Sequence, residues 1–137
     1  MSNKIFRALE VRKTEENTFT REVKDCCIDD LPEGDVLVRV HYSSLNYKDG
    51  LSCKGNPGVT KNYPHTPGID ASGVVAESSN PRFKVGESVI VMGFDLGMNT
   101  FGGFGQYIRV PADWIVHLPD GLSLKESMVF GTAGFTA

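Results

Sequence analysis

A mainly β fold with short helices, of the small-barrel or sandwich-like kind, is the expectation from three features of this chain. Fifteen glycines and seven prolines cut it into short runs. Val36, Val38, Val40 and Tyr42 alternate with Leu37, Arg39, His41 and Ser43, a period of two with one apolar or aromatic face. Helical signals are confined to two short segments. At 137 residues the chain fits one domain, residues 1–137, with no linker and no internal repeat.

Taken in order, Ile5 to Val11 and Thr18 to Val23 read as strands joined by the turn Thr14-Glu15-Glu16-Asn17. Leu31-Pro32-Glu33-Gly34-Asp35 is a second turn, with proline and glycine fixing its backbone. The alternating strand at 36–43 follows and runs into Ser44-Leu45-Asn46-Tyr47-Lys48-Asp49. From Asn46 to Lys54 a short helix or turn is expected, stopped by Gly55. Ala71 to Glu77, Ser88 to Met92, Phe104 to Val110 and Trp114 to Leu118 complete the strands. Between the second and third of these lies a glycine-rich loop from Gly93 to Gly103. Loops of that length often carry function, so Met92-Gly93-Phe94 is a candidate lining for a substrate cleft. Ser123 with Glu126 three residues on forms a capping box, which predicts a helix over Leu124 to Phe130 ended by Gly131. The residues after Glu126 carry no charge, an ending that reads as the start of another element.

Several function classes are excluded as expectations. Net charge is −3 with both signs interspersed, so no basic stripe invites nucleic acid. Apolar runs fall far short of the ~20 residues of a membrane helix, and charges in the first dozen residues leave no signal-peptide core. A cytoplasmic protein is expected, with Cys26, Cys27 and Cys53 as reduced thiols. No G-x-G-x-x-G, phosphate loop, G-x-S-x-G, C-x-x-C or H-E-x-x-H occurs. His41, His65 and His117 fall at no zinc-site spacing, and read as a solvent-facing strand residue, a loop residue and a strand end.

Five blocks keep a recognisable order. They are Val36 to Asp49; Pro67-Gly68-Ile69-Asp70-Ala71-Ser72-Gly73-Val74-Val75; Val85 to Ile90; Gly102 to Tyr107 with Pro111 to Trp114; and Gly131 to Ala137. In these the chain resembles the medium-chain dehydrogenase/reductase superfamily. Zinc alcohol dehydrogenases have a metal-binding cysteine where this chain has Asn46, a His-Glu pair where it has Ile69-Asp70, and a four-cysteine lobe that it lacks. An amide and an isoleucine are not zinc ligands. The resemblance is therefore to the zinc-independent quinone oxidoreductase-like branch, and within it to the acryloyl-CoA reductase group.

That resemblance implies a GroES-like β-barrel followed by a nucleotide-binding Rossmann domain, which is missing from residues 1–137. It implies hydride transfer from NADPH to an enone, an acyl-CoA thioester or a quinone, without zinc. Asn46, Tyr47 and Asp49 are the implied catalytic residues, with Tyr47 and Thr132 beside the cofactor. Lys48 reads as a turn charge or an enolate partner, and Asp70 as an anchor for its turn through backbone N–H groups. By itself residues 1–137 are expected to be inactive. The competing reading is a stand-alone GroES-like interaction module without catalysis. The physiological acceptor and the oligomeric state, a homodimer included, stay open.

Overall fold

The computed structural model describes residues 5–136, with side chains through Thr132. The charged start at Met1 to Lys4 and the end of the Gly131 to Ala137 block lie outside the described side chains. Strands β1 (Ile5–Lys13) and β2 (Phe19–Cys27) pair antiparallel as a hairpin. A 3-10 turn over Ile28–Asp30 leads to β3 (Val36–Ser43). Helix α1 (Tyr47–Cys53) comes next, then β4 (Asp70–Ser78), β5 (Ser88–Met92), β6 (Tyr107–Val110), β7 (Ile115–His117) and α2 (Leu124–Thr136). A second 3-10 turn, Ala112–Trp114, precedes β7. The five later strands form one sheet in the order β6-β3-β4-β5-β7, antiparallel throughout. Single bridges Ala8↔Gly105 and Val11↔His65 tie the hairpin to it.

The expected alternation on β3 holds only in part. Val36 and Val38 are buried with Val75, Val89, Val91, Leu96, Ile108 and Val110 in the main core. Leu37, on the opposite face, is equally buried, because Phe6, Ala8, Ile28, Leu31 and Tyr107 form a second core there. A strand covered on both faces loses its two-residue period. Farther along, Tyr42 is exposed. The ladder between β3 and β4 slips between Val40 and Tyr42, a bulge that re-aims the end of the strand. Gly73 makes this possible: a Cβ there would run into the Arg39 carbonyl oxygen. The result is that Ser43 pairs with Ala71, which brings Ser44 beside Asp70.

The helix at 124 starts as its capping box predicts. The Ser123 N–H donates to Glu126 Oε1 at 2.9 Å, and the Glu126 N–H donates to Ser123 Oγ at 3.1 Å. Its first segment stops at Gly131, as expected. Gly131 adopts φ 49° and ψ −160°, a kink, and helix resumes from Thr132. The kink has a structural reason, because Thr132 is bonded to a carboxylate of β4. Helix α2 packs against β3, β4 and β5. Among the described residues, no helix is long and apolar enough to cross a membrane.

Candidate active site

The turn after β3 is built by a helix cap. The backbone of Asn46 is extended, so its N–H is free of the helix ladder. Asp49, three residues on, takes that N–H on Oδ2 at 2.8 Å. Its Oδ1 accepts the Ile69 N–H at 3.0 Å. One buried carboxylate thus clamps the Asn46 turn to the Pro67–Asp70 turn. Burial pushes the Asp49 carboxyl above its ordinary value; the Asn46 and Ile69 N–H bonds pull it back, and the charge of Asp70 pushes it up further.

Asp70 is fully buried at the head of β4. Its Oδ2 accepts the Ser44 hydroxyl at 2.5 Å, an Asn46 Nδ2 hydrogen at 2.9 Å and the Thr132 N–H at 2.8 Å. Its Oδ1 accepts the Thr132 hydroxyl. The Asn46 amide also donates to Ser44 Oγ, at 3.3 Å. A buried carboxylate is tolerable only with such a set of donors. Gly131 is required beside it. A Cβ at 131 would lie 2.8 Å from Asp70 Oδ2 and 2.9 Å from Ser44 Oγ, and the residue sits at positive φ.

Four of the residues singled out from the sequence therefore converge: Asn46, Asp49, Asp70 and Thr132. The expected anchoring of its own turn by Asp70 through backbone N–H groups is not found: Asp49 holds the Ile69 N–H, and Asp70 gathers side chains from the turn after β3 and from α2. Tyr47 stands apart, 82 % exposed beside the equally exposed Leu45, and Lys48 is exposed too. Ser44 carries a role that its residue type alone did not announce. The available hint was an acid opening a run of small residues, Asp70-Ala71-Ser72-Gly73, which marks a carboxylate about to be buried.

The remaining candidates fall elsewhere. His41 and His117 are exposed, the latter 3.4 Å from Glu87. His65 is buried, its Nε2 2.8 Å from the Gly97 carbonyl, and burial holds its pKa below the ordinary value. Cys26, Cys27 and Cys53 are free thiols. A cavity of about 410 Å³ under the hairpin is lined by Phe6, Cys26, His65, Phe101 and others. None of Ser44, Asn46 or Asp70 lines it. Among the described residues, no three His, Cys, Asp or Glu side chains are grouped to hold a metal.

Tested against a flat ring ligand such as nicotinamide, the residues fit. The exposed, flat Tyr47 ring and the Leu45 side chain stand beside a turn held rigid by two buried carboxylates.

Comparison with known proteins agrees with this architecture. A family profile described as "Alcohol dehydrogenase GroES-like domain" matches residues 32–120. The acrylyl-CoA reductase AcuI of Ruegeria pomeroyi is 47 % identical over 134 residues, which are 97 % of this chain and 41 % of that protein. The crystal structure of the yhdH oxidoreductase from Salmonella enterica in complex with NADP superposes with a TM-score of 0.91 at 42 % identity, covering 95 % of this chain and 40 % of that one. Bacillus subtilis yhfP, solved with NAD bound, gives 0.92 at 46 % identity, covering 97 % and 40 %. The chain thus spans about 40 % of the length of the relatives it matches.

Proposed function

This chain belongs to the alcohol dehydrogenase GroES-like domain family, and from that membership we propose that it forms the substrate-side domain, residues 1–137, of a two-domain reductase that passes hydride from NADPH to an activated alkene without zinc. The acceptor class is an α,β-unsaturated thioester such as acryloyl-CoA, with an enone or quinone as the related alternatives. The observation that carries this reading is the bonding of Asn46. Where a zinc enzyme needs a thiolate, this chain has an amide whose N–H groups are already donated to Ser44 and Asp70.

Nicotinamide, when bound, supplies the hydride. The hydride adds to the β-carbon, and the electron pair of the alkene moves toward the carbonyl oxygen as an enolate. A proton then adds at the α-carbon, which balances the reduction. The task left to the protein is alignment and stabilisation of the oxyanion. Tyr47 is the catalytic residue in this reading: its exposed ring would hold the flat face of the nicotinamide and its hydroxyl would donate to the developing enolate oxygen. Asn46 and Asp49 are positioning residues, since their hydrogen bonds are spent on holding the turn. Thr132, tied to Asp70, stations the start of the connection toward the cofactor side.

The test is NADPH oxidation by the protein expressed from its complete reading frame, with acryloyl-CoA, a simple enone and a quinone offered in turn. A rate with the thioester that drops about a hundredfold in Tyr47→Phe, the range for losing one oxyanion donor, supports the reading. Absence of any rate above background with all three acceptors sinks it. Elemental analysis should give no zinc, and one equivalent of zinc would overturn the assignment of Asn46.

A further inference from the structure

One aromatic pair is not used by the chemistry above, and only its Trp114 packs against the main core. Phe94 is 64 % exposed and stacks on Trp114, with ring centroids 5.6 Å apart and planes within 4° of parallel. Phe94 holds φ 54°, a left-handed backbone that costs a bulky residue roughly 1–2 kcal/mol. An exposed aromatic kept in such a conformation asks for a reason beyond packing.

Position in the sheet gives one. Asp70 pairs with Met92 across β4 and β5, and Val91 pairs with Ile115 across β5 and β7. Trp114, the residue before Ile115, therefore lies at the row of Met92 and Asp70. Two strand spacings of ~4.8 Å separate it from Asp70, about 10 Å in all. Phe94 follows two residues after Met92 at the same end of the sheet.

The loop that presents Phe94 is held by its own hydrogen bonds and bears on the Pro67–Asp70 turn. Leu96 is fully buried in the main core. Asp95 accepts the Thr100 hydroxyl at 2.9 Å, and the Gly97 N–H donates to the Thr100 carbonyl at 2.8 Å. Gly97 lies so close to Gly68 that a Cβ would strike its backbone, and the Gly103 N–H donates to the Gly68 carbonyl at 2.9 Å. Gly68 is two residues before Asp70. The aromatic pair and the carboxylate are thus fixed to one another through a short stretch of packed backbone.

We propose that the Phe94–Trp114 pair is a stacking platform for the tail of the acceptor, selecting substrates with a planar group that reaches the end of the sheet two strand spacings, about 10 Å, from Asp70. This rests on the reductase reading above. A planar amide of the thioester's pantetheine arm and the second ring of a fused quinone share that chemistry: each offers a flat π face to the outer face of Phe94. A short enone has nothing at that distance and gains nothing from the platform.

The experiment compares wild type, Phe94→Ala and Phe94→Trp, each as the complete protein. KM and kcat are measured with acryloyl-CoA, a fused-ring quinone and methyl vinyl ketone. Binding of propionyl-CoA, which cannot be reduced, is measured by calorimetry. Phe94→Ala should raise KM and the propionyl-CoA Kd roughly two- to twelvefold, the range for one lost aromatic contact, with kcat nearly unchanged. Phe94→Trp should restore both, and the short enone should respond to neither substitution. A rise confined to the thioester assigns the platform to the amide arm, and one confined to the quinone assigns it to the second ring. Equal effects on all three acceptors, or none while wild type binds and reduces the thioester, would overturn the platform alone. A wild type that neither binds propionyl-CoA nor reduces any acceptor would overturn the reductase reading and the platform with it.

Discussion

Replacing Asp70 tests the centre of the network, because its four donors reach it from the turn after β3 and from α2. In Asp70→Asn the side-chain oxygen keeps the position of Oδ2, where Ser44, Asn46 and Thr132 N–H donate. The new amide then faces the Thr132 hydroxyl, which rotates from donating to accepting. Three bonds survive but lose their charge assistance, at ~0.5–1.5 kcal/mol each. Relief from burying a charge offsets part of that, leaving about 1–3 kcal/mol of destabilisation. Asp70→Ala is a different perturbation. The two hydroxyls can turn elsewhere, but the Asn46 amide keeps only the longer bond to Ser44 Oγ and the Thr132 N–H loses its bond to the carboxylate, at ~1–3 kcal/mol each. Added to the lost bonds of the hydroxyls, the cost is about 3–6 kcal/mol. Urea unfolding followed by circular dichroism reads both: with a slope of roughly 1–3 kcal/mol per molar, the asparagine variant should lose about 1 M in midpoint and the alanine variant at least twice that. If alanine costs no more than asparagine, the donors are not committed to Asp70 and the network argument fails.

Gly131→Ala should destabilise by about 1–3 kcal/mol, read as a lower Tm, because its Cβ meets Asp70 and Ser44 at a positive φ; an unchanged Tm would mean that the kink relaxes freely. Gly73→Ala should cost more, about 3 kcal/mol or above, since the obstacle is the rigid Arg39 carbonyl of the neighbouring strand; a variant that folds with wild-type stability refutes the close approach of β3 and β4. The buried His65 gives a pH dependence with a defined sign. Its folded pKa is depressed by burial, so on acidification the unfolded chain takes the proton first. Stability is complete above about pH 6.5, the ordinary value, and falls toward the lower folded pKa at no more than ~1.4 kcal/mol per pH unit. Urea midpoints from neutral pH down to about 5 should flatten in His65→Gln, and an equal slope in both proteins would remove His65 as the cause.

Local signals in the sequence carried well. Ser88–Met92 forms a strand with the expected bounds, the Ser123–Glu126 capping box starts α2, and the turn before α1 lies where the motif puts it. Each of these depends on residues within a few positions of one another. What the sequence hid depends on distance along the chain. Asp70 meets Asn46 across 24 positions and Thr132 across 62, and no periodicity reports such pairs. The double burial of β3 was hidden for the same reason, since the second core is built by the hairpin and the turn after it. The 3-10 turn at Ile28–Asp30, which delivers Ile28 to that core, has no strong local signal. His65 looked like an ordinary loop histidine because its acceptor, Gly97, is 32 residues away.

The two buried carboxylates have different work, and the difference comes from which groups they can reach. Asp49 lies on a helix turn, where the nearest donors are backbone N–H groups, and it accepts two of them. It fixes the shape of the turn and has no contact with α2 among its hydrogen bonds. Asp70 opens a strand whose own N–H groups are spent on the sheet ladder, so its oxygens are left for side chains and for the start of the resumed helix. A disturbance at Asp49 should therefore stay within the Asn46 and Ile69 turns. A disturbance at Asp70 reaches the Gly131 kink and the direction in which the chain leaves the sheet. The turn that carries Asn46 and Tyr47 is thus held in place from Asp70, a residue more than twenty positions downstream.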